Sequence, residues 1–406
     1  MDKYKFIILG AGPAGLTFAN RLKDVGINDF LVIEKEKEAG GLCRSMIVDG
    51  APLDIGGGHF LDVRNQEAND YLYHFMPREE WNLFRRDSRI RLKEYEIGHP
   101  FEANIWQLPD DVQKQYLESI SKAGCNNGEI KPKKFIEWIS WKLGDRIASD
   151  YMIPYNRKLF SDDLNELGIY WLDKLPDVSY DETLKSCKDH KPYGKEPGHE
   201  VFLYPKEHGY GEVWKRMANR IVDNIVFNKK IDSFDIKRKI VKSGDESWEA
   251  EMIITTIPWQ SINIVKGFTK KTIESLKELK HCSVEIKYCE KTLDTKAHWI
   301  YFPSEEVDFH RILVRSNFCS GSKGCWTETR QERINNKYSA FKYINEYAYP
   351  LNTIDKPEIM KNIILESESN SVYPLGRWGE HMHYNSDVTV LKALQLFERI
   401  NNEKII

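Results

Sequence analysis

The first 34 residues constrain the fold of this chain more than any other stretch. Residues 4–9, YKFIIL, are a continuous apolar run of strand length, and Gly10-Ala11-Gly12-Pro13-Ala14-Gly15 follows at once. LTFANRLKDVG then places apolar residues at helical spacing and ends at Gly26, a helix stop. A second buried strand, DFLVIE, closes on Glu34, 24 residues after Gly10. Strand, glycine turn, helix, strand and acid in this order predict a dinucleotide-binding βαβ unit. Gly10 permits the tight turn, Gly12 lets a pyrophosphate touch the backbone, and Gly15 lets helix and strand pack closely. The helix N-terminus at Pro13 and Ala14 offers free N–H groups and a partial positive charge to phosphates. Glu34, followed by Lys35, is placed to accept from ribose hydroxyls. The pattern alone leaves NAD and FAD both open.

Bulk properties bound what surrounds this unit. A chain of 406 residues exceeds the usual ceiling for one hydrophobic core, so two or three structural units are expected. With 59 basic against 62 acidic residues and a net charge of -3, there is no basic footprint for nucleic acid. Apolar runs such as KFIILGAG and MIITTIP fall far short of the roughly 20 residues a membrane span needs. The N-terminus enters a strand without a leader-like segment, so a cytoplasmic enzyme is expected. Seven cysteines, scattered and without a CxxC, predict reduced thiols rather than a disulfide framework or zinc site. His381 and His383 lack a third ligand nearby, and no metal is assigned.

Beyond Glu34 a second glycine pair, Gly40-Gly41, leads through Leu42, Arg44 and Ser45 into a hairpin that ends at DIGGGHFLD, residues 54–62. Three consecutive glycines mark either a surface turn or a close approach by another group. With these residues the chain resembles the flavoprotein group of amine oxidases, protoporphyrinogen oxidases and UDP-galactopyranose mutases. In that group the glycine pair lies along FAD, and a loop like Gly56-Gly57-Gly58 runs beside the isoalloxazine. The resemblance therefore implies FAD. It also implies that Gly376-Arg377, and the last helix starting at Asn385-Ser386, complete the flavin site, and that Ile231 sits in a strand covering the adenine.

The resemblance sharpens toward the eukaryotic-type UDP-galactopyranose mutases. IYFPSEEVDFHRILVRSNF carries Tyr301 in a Tyr-Phe-Pro and Arg311 ten residues later, as their substrate strand pair does. HPFEANIWQLP (99–109), PYNRKLF (154–160) and FLYPKEHGYGEVWKRMAN (202–219) resemble three further segments in the same order. On this likeness Arg311 grips a sugar-nucleotide diphosphate bidentately and Tyr301 donates to the same oxygens. Tyr155, Phe160, Phe101 and Trp106 are candidates for stacking on uracil or flooring the sugar pocket, or else for core. His59 is expected beside the flavin, orienting substrate or cofactor, or tuning proton transfer near neutral pH.

The chain departs from the pattern at substrate positions. The family's second diphosphate arginine should fall near WLDKLPDVSYDE, where Lys174 is the only base. Six and eight residues after Arg377 stand His383 and Asn385 in place of a tyrosine and, in bacterial members, an aspartate, with Tyr384 one position from the former. The implied fold is α/β: a Rossmann-type FAD domain from 1–75, 203–265 and 355–406, an antiparallel-sheet substrate domain from 76–100 and 266–350, and a helical insertion over 101–202 that carries part of the pocket and offers a dimer face. The implied activity is ring contraction of a UDP-hexose through a reduced-flavin N5 sugar adduct, in polysaccharide synthesis, with an external reductant such as NAD(P)H. The alternative is an FAD-dependent oxidoreductase of the amine or protoporphyrinogen oxidase kind.

Overall fold

Runs that are apolar at every position belong in a sheet covered on both faces, and the first strand shows why. In the computed structural model, which describes residues 1–172, 175–195, 198–334 and 341–403, the strand Asp2–Leu9 lies mid-sheet between Phe30–Ile33 and Glu246–Thr255, all parallel. Phe6 and Ile8 pack into one buried cluster and Ile7 and Leu9 into another, on the opposite face. Ile225–Val226 and Val372–Pro374 extend the parallel part. A hairpin, Ser233–Asp235 with Ile240–Ser243, and Ile264–Lys266 complete the eight strands.

The helix Pro13–Asp24 covers one face together with the last helix, Ser386–Asn402, where Phe18 meets Phe6 and Phe397. Gly26 follows the first helix at φ +81 and its N–H bonds back to Lys23, so the predicted stop forms as expected.

A second sheet of seven strands runs in the order Lys342–Pro350, His281–Cys289, Cys325–Arg330, Arg311–Leu313, Trp299–Tyr301, Ser88–Leu92, Tyr95–Gly98. It is antiparallel except where Trp299–Tyr301 pairs with Ser88–Leu92. Its register aligns Glu328, Arg311, Tyr301 and Ile90 across adjacent strands on one face, and Trp326, Leu313, Trp299 and Ser88 in a second row two residues along. That face looks toward the glycine turn at 56–58. The helices Asp110–Ser121, Phe135–Ile147, Ile153–Leu159 and Tyr180–Asp189 lie in the region read as helical and enclose their own core around Phe101, Tyr116 and Trp138. The α/β fold with a Rossmann-type unit, an antiparallel sheet and inserted helices is the one expected. Among the described residues no helix is long and apolar enough to cross a membrane.

Candidate functional site: two cavities that meet at His59

A groove of about 290 Å³ runs over the carboxyl ends of the parallel strands. Gly10, Gly12, Pro13, Ala14, Glu34, Lys35, Gly41, Leu42 and Ile231 line it, so the segments read as cofactor-binding converge. At one end the helix Pro13–Asp24 begins with no side-chain cap and no acid in its first turn, which leaves its N-terminus free for an anion. A Cβ on Gly12 would meet only the Gly41 Cα, at 3.8 Å, whereas one on Gly10 would stand 2.6 Å from Thr256 Oγ1. The missing side chain of Gly12 therefore opens space toward the groove. Gly15 gives the close helix–strand packing expected of it, since its Cβ would lie 2.0 Å from the Gly10 carbonyl oxygen. Glu34 accepts from the backbone N–H of Ala11 at 2.7 Å and of Glu36 at 2.9 Å. Burial raises its carboxyl above the ordinary value, and those N–H groups pull it back.

At its other end the groove reaches His59, Arg377 and Ser386, and a second cavity of about 200 Å³ begins at the same three residues. Arg86, Arg311 and Arg377 line this second cavity with four histidines (59, 199, 310 and 383) and three tyrosines (155, 301 and 349). No carboxylate lines it among the described residues. Glu328 lies just behind the wall. It accepts from Arg311 Nη2 at 2.5 Å and Nε at 3.1 Å, and its other oxygen accepts from the Gly58 N–H at 2.9 Å. Burial works to raise the Glu328 carboxyl, but Arg311 and then His310 overcome it and hold it below its ordinary range. Arg377 donates to the carbonyls of Tyr384 and Ala348. Arg86 donates to Ser88 Oγ, the Gly198 carbonyl and the Tyr301 hydroxyl, meets His99 Nδ1 at 3.2 Å, and lies over the Trp299 ring. Among the described residues neither has a carboxylate partner, so Arg377 at the junction and Arg86 within the second cavity are cations without a paired anion.

Several expectations change. The three glycines of DIGGGHFLD are filled from within: a Cβ on Gly56 would stand 1.7 Å from the Leu42 carbonyl oxygen, and one on Gly58 would stand 2.3 Å from Leu313 Cδ2. Gly57 has φ +101 beside Glu328 and borders neither cavity. Chain-on-chain packing thus accounts for much of the bare backbone, while Gly56 and Gly58 also border the second cavity. His59 does not titrate near neutrality: burial, then Arg377, push it down to about 3, while Nδ1 meets the Gly57 carbonyl at 3.1 Å. Phe160 packs into the helical core against Trp171 and Tyr349 and lines neither of the two cavities. Phe101 and Trp106 are likewise remote, Phe101 against Tyr116 and Trp106 against His190.

Tyr384 faces the dinucleotide groove, with its hydroxyl donating to Glu380, whereas His383 and Asn385 do line the second cavity. Ile231 reaches the groove from a loop two residues before the strand Ser233–Asp235, not from within a strand. Gly376, at φ +76, packs against Ala14 and borders neither cavity. Lys174 lies outside the described residues. Tyr155 and Tyr301 do come together, ring to ring at 5.3 Å, in the cavity wall.

Sequence reading missed Arg86, His199, His310, Glu328 and Tyr349. The only signal for Arg86 was the density of arginines in FRRDSRIRL. Glu328 becomes readable only once the register opposite Arg311 is known.

The sequence model of the NAD(P)-binding Rossmann-like domain matches residues 8–75. The chain is 48% identical over 52 residues to an uncharacterized protein of the nifH2 3' region of Methanothermococcus thermolithotrophicus, covering 13% of this chain and 49% of that one. It is 26% identical over 127 residues to hydrogen cyanide synthase subunit HcnB of Pseudomonas protegens, covering 30% and 25%. The chain thus spans at most about half the length of these curated relatives.

Whole-chain likeness appears in solved structures. A reduced UDP-galactopyranose mutase superposes with a TM-score of 0.87 at 21% identity, over 98% of this chain and 94% of that one. A protoporphyrinogen oxidase-like protein from Exiguobacterium sp. 255-15 gives 0.69 at 12% identity, over 99% of both. Putrescine oxidase with bound putrescine gives 0.66 at 12%, over 98% and 99%. The chain has the fold that these proteins share, with a Rossmann-like dinucleotide unit at its start. The matched domain model supports a dinucleotide as the occupant of the groove.

Proposed function

We propose that this chain is an FAD-dependent enzyme acting on a sugar nucleotide, a mutase of the UDP-galactopyranose type or a close relative. The observation that carries the reading is the junction at His59, Arg377 and Ser386, where the dinucleotide groove opens into an arginine-lined cavity with no carboxylate among its described lining residues. Such a lining suits a diphosphate. It offers no anion to an amine, which weighs against an amine oxidase.

The groove fits FAD on its own geometry, with an uncapped helix N-terminus for phosphate, Glu34 for ribose and Ile231 near Lys35 and Glu34 at the far end. When bound and reduced, FAD supplies the nucleophile for the anomeric carbon, so an external reductant such as NAD(P)H belongs to the reading. Arg311 and Arg86 neutralise the diphosphate, and Tyr301, held by Arg86 and Trp299 Nε1, fixes its position. His59, neutral at working pH, orients substrate or cofactor through a hydrogen bond and is not the proton shuttle. Arg86 takes the place of the missing second arginine.

The test is to reduce the flavin-loaded protein with dithionite and assay a UDP-hexose panel for ring-contraction products by chromatography. Product from at least one UDP-hexose is expected, and His59→Ala should keep its flavin spectrum while losing at least about a hundredfold in turnover. No product from any member, together with oxygen-coupled turnover of an amine or tetrapyrrole, would favour the oxidoreductase instead.

A further inference from the structure

Buried polar groups almost always have a partner, so a buried side chain without one marks a place where something is missing. His310 is such a group. Its ring has no solvent exposure, and neither Nδ1 nor Nε2 has a hydrogen-bond partner. It borders the arginine-lined cavity beside Tyr155, ring to ring at 6.1 Å, and Arg311. Its nearest anion, Glu328 Oε2, is 3.6 Å from Nε2, beyond hydrogen-bonding distance, because Arg311 already occupies that oxygen.

The same carboxylate locates His310 within the cavity. Glu328 Oε1 accepts from Gly58 N–H, next to His59, so a single carboxylate separates the unpartnered imidazole from the loop at the cavity junction. That is the end where the sugar must sit if the groove holds FAD. Burial lowers the imidazole below its ordinary range while Glu328 pulls it up, with Arg311 and Lys158 opposing, which favours the neutral form, and a neutral imidazole has one donor and one acceptor. A hydroxyl matches both; a phosphate oxygen matches only the donor.

We propose that His310 is a substrate-contacting specificity residue that hydrogen-bonds a hydroxyl of the sugar half. This rests on the sugar-nucleotide reading above and names a contact within it. The test is to titrate the FAD-loaded parent, His310→Phe and His310→Asn with UDP-galactose and, separately, with UDP. Flavin content and Tm are checked on the same samples.

His310→Phe is expected to weaken UDP-galactose binding about tenfold while UDP binding stays within about twofold. His310→Asn, which keeps a donor and an acceptor, should recover most of the loss. Parent-like binding of UDP-galactose by His310→Phe overturns the proposal and makes the ring a packing element. Equal loss for UDP and UDP-galactose also overturns it, since the contact is then to the nucleotide half. A parent that binds neither ligand removes the sugar-nucleotide reading itself, an outcome distinct from both.

Discussion

The two cavities that share His59 are made of different materials. The dinucleotide groove is built around backbone features of residues 10–44, a glycine turn, a bare helix N-terminus and the end of a parallel strand, with 229–231, 256–261, 343–347 and 377–389 completing its lining. The arginine-lined cavity is walled mainly by side chains from separated segments, around 56–60, 86, 155–159, 199, 299–311, 349, 377 and 383–386. A backbone-built site needs particular residues at fixed spacing, because only glycine tolerates the approach and only a helix start presents free N–H groups. A side-chain-built site needs only that the fold deliver charges to one place, and many segments can deliver them. The second contains buried imidazole nitrogens, on His310 and His199, that have no hydrogen-bond partner.

The most disruptive way to test this contrast is at the glycines. Gly56→Ala drives a Cβ into the Leu42 carbonyl and should cost roughly 4 kcal/mol or more, read as loss of a cooperative unfolding transition or a large fall in Tm. Gly12→Ala meets nothing closer than 3.8 Å, so the flavin-free protein should keep its Tm within what about 1 kcal/mol would shift while the flavin-bound fraction falls sharply. Equal destabilisation by both would mean that Gly12 is structural too.

Next in size is Arg311, which the sequence motif presents as a phosphate grip and the structure also makes the partner of Glu328. Arg311→Ala leaves that carboxylate buried without its cation and should destabilise by about 3–5 kcal/mol by denaturant unfolding. Adding Glu328→Gln should recover much of the stability without restoring nucleotide binding. If the double variant is no more stable than the single one, the unpaired Glu328 carboxylate is not the source of the loss.

A smaller effect separates framework from pocket by pH. Asp54, at the base of the glycine loop, is buried and pushed up to about 7 despite bonds from Ser45, Tyr204 and Tyr210. Between its ordinary value of 3.8 and 7 the folded state binds more protons here than the unfolded one, so this group's contribution to stability falls as pH rises across that window. The loss is at most about 4 kcal/mol. Asp54→Asn should flatten that slope; an unchanged slope would show that Asp54 ionises normally in the fold.

The same contrast separates what was legible in advance from what was not. The βαβ unit could be read because YKFIIL, Gly10, Gly12, Gly15 and Glu34 are each required by local geometry. Tyr301 and Arg311 were found through the family resemblance, and the structure sets them at facing positions on two adjacent antiparallel strands. Arg86, Glu328 and His310 were not found, because their importance lies in strand register and burial, which arise only after distant segments pair. DIGGGHFLD shows a role the sequence did not reveal: Gly56 and Gly58 border the second cavity and also seat Leu42 and Leu313. Phe160 illustrates the same limit for aromatic residues, whose sequence context does not distinguish core from pocket.

Everything proposed for the second cavity turns on whether it binds a nucleotide diphosphate. Calorimetric titration of the FAD-loaded protein with UDP measures this most directly. Saturable binding at one site per chain is predicted, weakened at least about tenfold by Arg86→Ala and reduced by added salt. No binding heat and no competition with any sugar nucleotide, from a protein whose flavin spectrum is intact, would contradict it.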